Sequence, residues 1–175
     1  MASGRPLDGE FAGYAKADID LVPGDDAVKV LTGLAQETLA LLGPLAERRV
    51  AGLTYEVGKW TLKEVLGHLA DDERIFAYRA LCLARNDARP LPGFDEKLYM
   101  EGAGFEARSL ASLLTEYRAV RAASLALFSG LSPDAWLRRG VVNGYDATVR
   151  GLAFHIAGHE CHHIRIVRER YLERR

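Results

Sequence analysis

Four of the five histidines in this 175-residue chain fall within nine residues, in the run His155-Ile156-Ala157-Gly158-His159-Glu160-Cys161-His162-His163. The run lies in a stretch of helical period, where Leu152, Ile156, Ile166 and Val167 recur on one side. At about 100° per residue, His159 and His163 fall inside that apolar arc and His155 at its edge. His162 falls outside it, on the wet side with Gly158, Arg165 and Glu169. Side chains at i and i+4 stand one turn apart and point the same way, so His159 and His163 can reach one ion. His155 is two turns from His163, about 12 Å along a helix axis, too far to share that ion, and suits a place behind the ligands. A helix that turns imidazoles inward needs another helix to cover them, which commits the chain to helix-on-helix packing.

Three further helices are legible. The first spans 25–42, with Val28, Leu31, Leu34, Leu39 and Leu42 at three- and four-residue spacing between Pro23-Gly24 and Gly43-Pro44. Thr61-Leu62-Lys63-Glu64 fits a capping box and opens a second helix that runs to about Ala84. Its inward stripe joins His68 to Val65, Ile75, Phe76 and Leu83 and carries Asp72 and Arg79. Prolines and glycines over 86–104 deny any long helix there. Ser109 caps a third helix to near Gly130, whose inner stripe includes Leu113, Tyr117, Arg121, Ser124 and Phe128. Ser132-Pro133-Asp134-Ala135-Trp136 reads as a single turn. The fourth helix begins at 146–148 and reaches about Tyr171.

The fold class that follows is all-α, an antiparallel four-helix bundle with a long loop between helices 2 and 3. One domain over 1–175 is expected, with an irregular lead-in over 1–24 holding at most one short helix. Short stretches at 53–57 and 141–142 are expected to pair as a small ribbon. Trp60 and Trp136 are expected to anchor the bundle ends.

A net charge of −1 gives no electrostatic case for nucleic acid or an anionic membrane as partner. The uncharged runs fall short of the roughly 20 apolar residues that span a bilayer, and no secretory leader is evident, so a cytoplasmic protein is expected. Cys82 and Cys161 are too few for a disulfide framework and read as inert free thiols.

The inward polar residues carry the chemistry. His68, His159 and His163 form a candidate metal site with coordination left open, for zinc, nickel, iron or manganese. Asp72 suits a fourth ligand, an acceptor for an imidazole N–H, or a partner for Arg79. Arg79, Arg121 and Tyr117 share the stripe and are expected to bind a small, anionic substrate. Glu160, or Asp72, is the candidate base. His159-Glu160-Cys161-His162-His163 also spells H-E-x-x-H, the metalloprotease signature, but such enzymes take a third ligand downstream. Only twelve residues follow His163, none of them His.

The run Gly58-Lys59-Trp60-Thr61-Leu62-Lys63-Glu64-Val65-Leu66-Gly67-His68, together with Glu73 to Leu81, Leu91-Pro92-Gly93-Phe94-Asp95 and Gly158 to His163, resembles the DinB/YfiT-like family of metal-dependent enzymes. The similarity extends to Glu10-Phe11-Ala12 and Leu21-Val22-Pro23-Gly24 at the front. It implies a four-helix bundle, often a homodimer, with one divalent metal held at the positions of His68, His159 and His163. Related bundles include thiol-dependent transferases and isomerases, which implies a low-molecular-weight thiol or water as nucleophile. The alternatives are metal-assisted hydrolysis and a non-catalytic, stress-related metal-binding bundle.

Overall fold

The structure, a computed structural model, describes residues 3–173; positions 1, 2, 174 and 175 of the expected lead-in and domain lie outside the described residues. In chain order the helices are α1 (Lys16–Ile19), α2 (Ala27–Leu42), α3 (Glu47–Val50), α4 (Leu62–Ala84), α5 (Glu96–Ala103), α6 (Leu110–Ser129), α7 (Pro133–Trp136) and α8 (Val149–Ile166). A two-stranded ribbon, β1 (Arg139–Val142) and β2 (Tyr145–Thr148), precedes α8, and a π-helical turn, Val167–Leu172, follows it.

Each long helix starts at a side chain that accepts from an orphan amide of the first turn: Asp26 for α2, Thr61 for α4, Ser109 for α6 and Thr148 for α8. The capping box at Thr61 is complete, with Glu64 accepting from the Thr61 amide at 2.7 Å.

The bundle is formed by α2, α4, α6 and α8. Helix α4 packs against α6 and α8, and α2 packs against the same two. Near the start of α4, Lys63 Nζ donates to the carbonyls of Glu106 and Arg108 just before α6. At mid-height Glu73 of α4 meets Arg121 of α6. These two helices therefore run parallel. His68 faces His159 and His163, whereas Asp72 faces His155 and His159, so α8 runs against α4. Helix α2 runs against α6, because Leu31 meets Arg121 while Thr38 and Tyr117 meet Glu160. The bundle is thus antiparallel as two parallel pairs. Joining the end of α4 to the start of a parallel α6 means returning along a helix about 33 Å long, and the segment 85–109, with α5 within it, makes that return.

The expected ribbon forms with a different partner. Val141–Val142 pairs with β2, in the register Val141↔Asp146 and Val142↔Tyr145, rather than with 53–57. Asn143 and Gly144 both have positive φ, 49° and 81°, which is the backbone of a two-residue hairpin turn. Leu91 of the return segment bridges Val142 in parallel.

The lead-in is irregular with one short helix, as expected, and it is packed. Ala12, Ala15, Ile19 and Val22 are buried, and Arg150 of α8 clamps the buried Glu10 through Nε and Nη2 at 2.6 and 2.7 Å. Gly151 and Gly158 of α8 make room for it, since a Cβ at Gly158 would stand 2.6 Å from the Asp18 backbone and one at Gly151 2.0 Å from the Glu10 carbonyl. The α8 face expected to be wet is therefore partly covered, and His162 Nδ1 lies 3.1 Å from an Asp18 carboxylate oxygen.

Two apolar clusters fill the bundle. One gathers Leu62, Leu66, Leu113 and Val167 at the start of α4. The other gathers Phe76, Leu83, Phe128, Leu152 and Ile156 toward its end. His68, Asp72, Glu73, Tyr117, Arg121 and Glu160, each at most 4% exposed, belt the waist between them.

Candidate metal centre

His68, from the second turn of α4, and His159 and His163, one turn apart on α8, bring their ring nitrogens together. The Nε2 atoms of His68 and His163 lie 3.0 and 3.1 Å from His159 Nε2. Nitrogens about 2.1 Å from one ion, at angles of 90–109°, stand about 3.0–3.4 Å apart. A neutral imidazole offers one N–H and one lone pair. These nitrogens can hydrogen-bond to one another in suitable tautomers, or turn all three lone pairs to one shared cation. The donor set therefore fits a divalent ion.

The surroundings prepare these rings for that state. Burial, then the charge His159 would carry, holds His68 down at about 4. Burial, then His159 and His68, pushes His163 down to about 2, and His159 is lowered too, chiefly by burial. All three rings are neutral at pH 7, as ligands must be.

Asp72 stands behind them. It is 4% exposed, and one of its oxygens, Oδ2, is a buried polar atom with no hydrogen bond of good geometry. That oxygen lies 3.3 Å from His159 Nδ1 and 3.7 Å from His155 Nε2. Burial alone would raise the Asp72 carboxyl, but the surrounding His159, His155 and His68 hold it below the usual carboxylate range. A carboxylate facing His159 Nδ1 favours the tautomer that presents Nε2 to a metal. His155 stands on the other side of Asp72, stacked 3.7 Å from the Phe76 ring.

The remaining sequence-derived candidates are drawn elsewhere. Glu160 is 1% exposed. Its Oε1 accepts from Thr38 Oγ1 at 2.6 Å and from the Tyr117 hydroxyl, and its Oε2 accepts from Arg121. Arg121 also binds Glu73 through Nε and Nη2, both at 2.9 Å, and the Leu31 carbonyl at 2.7 Å. Glu160, Arg121 and Tyr117 are thus engaged with one another rather than turned to the imidazoles. The base of an H-E-x-x-H protease would have to reach the ion, and both oxygens of Glu160 are already held. Arg79 donates to the Pro92 carbonyl at 2.8 Å and lies over the Phe76 and Phe94 rings, fastening the return segment to α4.

Trp60, expected as an end anchor, instead covers the histidines. Its ring centroid is 4.8 Å from that of His68 and 6.5 Å from that of His163, nearly parallel to the latter. Sequence reasoning missed this contact. The signal available was its position one residue before the N-cap of the helix that carries His68. Trp136 does anchor an end, stacked on Phe128 at 5.6 Å. Cys82 and Cys161 are unpaired, and burial pushes the Cys161 thiol up to about 11, which keeps it a thiol at pH 7.

Fold and site together define a four-helix bundle with a buried three-histidine group. The chain belongs to the DinB superfamily, whose sequence profile matches residues 31–167. Solved structures share the fold, two of them as follows. YfiT from Bacillus subtilis, described as a probable metal-dependent hydrolase with an unusual four-helix bundle topology, aligns at a TM-score of 0.70 and 17% identity. The alignment covers 94% of this chain and 90% of YfiT. A mycothiol-dependent maleylpyruvate isomerase aligns at 0.63 and 13% identity, over 86% of this chain; the chain spans 59% of that protein. Among curated proteins, none matches significantly by sequence. No helix among the described residues is long and apolar enough to cross a membrane.

Proposed function

We propose that this protein is a metal-dependent enzyme in which His68, His159 and His163 hold one divalent ion, and that a water or a low-molecular-weight thiol is its nucleophile toward a small substrate. The observation that carries the reading is the convergence of three Nε2 atoms at 3.0 and 3.1 Å, with the Asp72 carboxylate behind His159. An ion so held supplies Lewis acidity and lowers the pKa of a water or thiol toward neutrality. Three protein ligands leave room for that group. Asp72 orients His159, Trp60 shields His68 and His163 from bulk water, and Phe76 holds His155 in place beside Asp72.

S-transfer, isomerisation and hydrolysis all draw on the same activated nucleophile. The description of YfiT supports hydrolysis and that of the isomerase supports a thiol. The deciding experiment is metal analysis of protein purified without a His-tag or nickel resin, followed by a thiol screen with the loaded protein. One zinc, nickel, iron or manganese ion per chain, lost in His159→Ala, is the expected result; full metal in that variant overturns the assignment.

The reading includes a symmetric homodimer. Tyr78 (57% exposed) on α4 and Tyr99 (47%) on α5, which line one groove, support a partner on that side. Sedimentation at tens of micromolar is expected to give twice the mass of the 19.3 kDa chain, and only monomer would refute the pairing.

A further inference from the structure

His163 forms one wall of a groove of about 250 Å³ whose other walls are Tyr55, Trp60, Val65, Ile166 and Tyr171. Drug-sized ligands occupy roughly 300–1,000 Å³, so this groove suits something smaller. Its walls are fixed. The Tyr171 hydroxyl donates to the Trp60 carbonyl at 2.7 Å, and the Tyr55 ring meets Tyr171 edge-on at 5.0 Å. The helix that carries His163 widens into the π turn at Val167–Leu172, within which Tyr171 lies. Such turns are costly and recur at functional sites.

Two cations stand beside this aromatic floor. Lys59 lines the groove, and the Arg170 guanidinium lies 5.3 Å from the Tyr55 ring centre; both residues are exposed. Glu64, the carboxylate whose charge reaches Tyr171, is held by the Thr61 amide. A flat apolar body fits aromatic walls, and an anionic group fits the two cations.

We propose that this groove is the substrate-recognition site and takes a small planar acid, an aromatic or conjugated carboxylate. Its ring lies against Trp60 and its carboxylate turns to Lys59 and Arg170. The inference rests on the metal reading only for what the bound acid meets at His163.

The probe is naphthalene-2-carboxylate, titrated by calorimetry into wild-type protein of measured metal content. Quenching of Trp60 emission is followed in parallel in Trp136→Phe. Saturable binding is expected, weakened about tenfold in Tyr55→Ala, the scale of one good aromatic contact. Weakening in Lys59→Ala and with added salt is expected too, together with clear preference over naphthalene-2-methanol and over cyclohexanecarboxylate. Calorimetry keeps the test valid should Trp136→Phe fold poorly. No saturable binding to metal-bearing protein would overturn the groove proposal and leave the metal reading standing. Equal affinity for the neutral alcohol, or an unchanged Tyr55→Ala, would do the same. Binding abolished by chelation would put the acid on the ion rather than in the groove. Binding by protein that never takes up metal would uphold the groove and overturn the metal reading.

Discussion

Asp72 and Glu73 are neighbours on α4, and His159 and Glu160 are neighbours on α8, yet each pair divides between two buried clusters of opposite character. Glu73 and Glu160 turn to Arg121, where Tyr117, Thr38 and the Leu31 carbonyl complete the bonding. Asp72 and His159 turn to His68, His155 and His163, where the nitrogens face one another and Asp72 Oδ2 lacks a well-formed hydrogen bond. One step of about 100° along a helix separates the two. Buried polar groups are kept where they are satisfied. The Arg121 cluster is closed on itself. The histidine cluster leaves Asp72 Oδ2 unpartnered and turns three Nε2 atoms to one another, which is why it is read as the functional site.

If that division is correct, damage to the closed cluster lowers stability and damage to the open one lowers metal affinity. Arg121→Ala strands the Glu73 and Glu160 carboxylates in a dry interior and is expected to cost about 3–5 kcal/mol in urea unfolding. Metal per folded molecule should stay at the wild-type level. Loss of metal with full stability would show that Arg121 serves the metal instead.

The open cluster has its own signature in the metal-free protein. His68 and His163 sit at about 4 and about 2 when folded, against about 6.5 for a free imidazole. With the folded values depressed, the unfolded chain binds the extra protons. Their contribution is therefore present above about pH 6.5 and fades as the pH falls, to about 4 for His68 and on to about 2 for His163. Between pH 7 and 4.5 the chelated protein is expected to lose on the order of 2–3 kcal/mol of stability for each of the two imidazoles. A flat profile over that range would mean that these imidazoles are already hydrated.

Much of this was legible in the sequence, and the gaps have physical causes. The i, i+4 spacing of His159 and His163 and the apolar register of His68 point inward on any helical wheel. The wheel gives a direction but not a neighbour. It put Tyr117 and Arg121 inside correctly, but could not tell that α4 and α6 run parallel and bring Glu73 to Arg121. Charge on Arg121 was then given to a substrate when a carboxylate of the same chain takes it. Trp60 and Tyr55 lie in a connection whose path is set by tertiary packing, and Tyr171 lies in a π turn that a 3.6-residue period misplaces. The hairpin, by contrast, was written in Asn143-Gly144 between two apolar runs, a strong local signal for pairing β1 with β2. The irregular lead-in with one short helix was legible too, but not what it packs on, because its burial depends on glycines more than a hundred residues away, at Gly151 and Gly158.

Asp72→Asn sharpens the comparison within the open cluster. The amide keeps the shape but removes the charge that faces His159 Nδ1. Metal affinity is expected to fall about 10–100-fold, the usual cost of losing the group behind a ligand, with stability of the metal-free protein little changed. Competition with a chromogenic chelator measures this, and an affinity within twofold of wild type would deny Asp72 an orienting role.

The smallest effect is expected from Tyr117→Phe, and it asks whether the two clusters communicate. The substitution deletes one hydroxyl, buried at 0% exposure, that donates to Glu160 Oε1. Thr38 still donates to the same oxygen and Arg121 still holds the other, so no carboxylate is abandoned. Hydrogen bonds to charged groups contribute about 1.5–3 kcal/mol, and with the acceptor still served the loss should lie near the lower end, about 1.5 kcal/mol. Because Glu160 and His159 share a backbone but face different clusters, metal affinity and its pH dependence should be unchanged. A shift in either, measured on protein whose unfolding midpoint has dropped only slightly, would show that the closed cluster sets the aim of His159 and that the boundary between scaffold and site runs through α8 rather than between its faces.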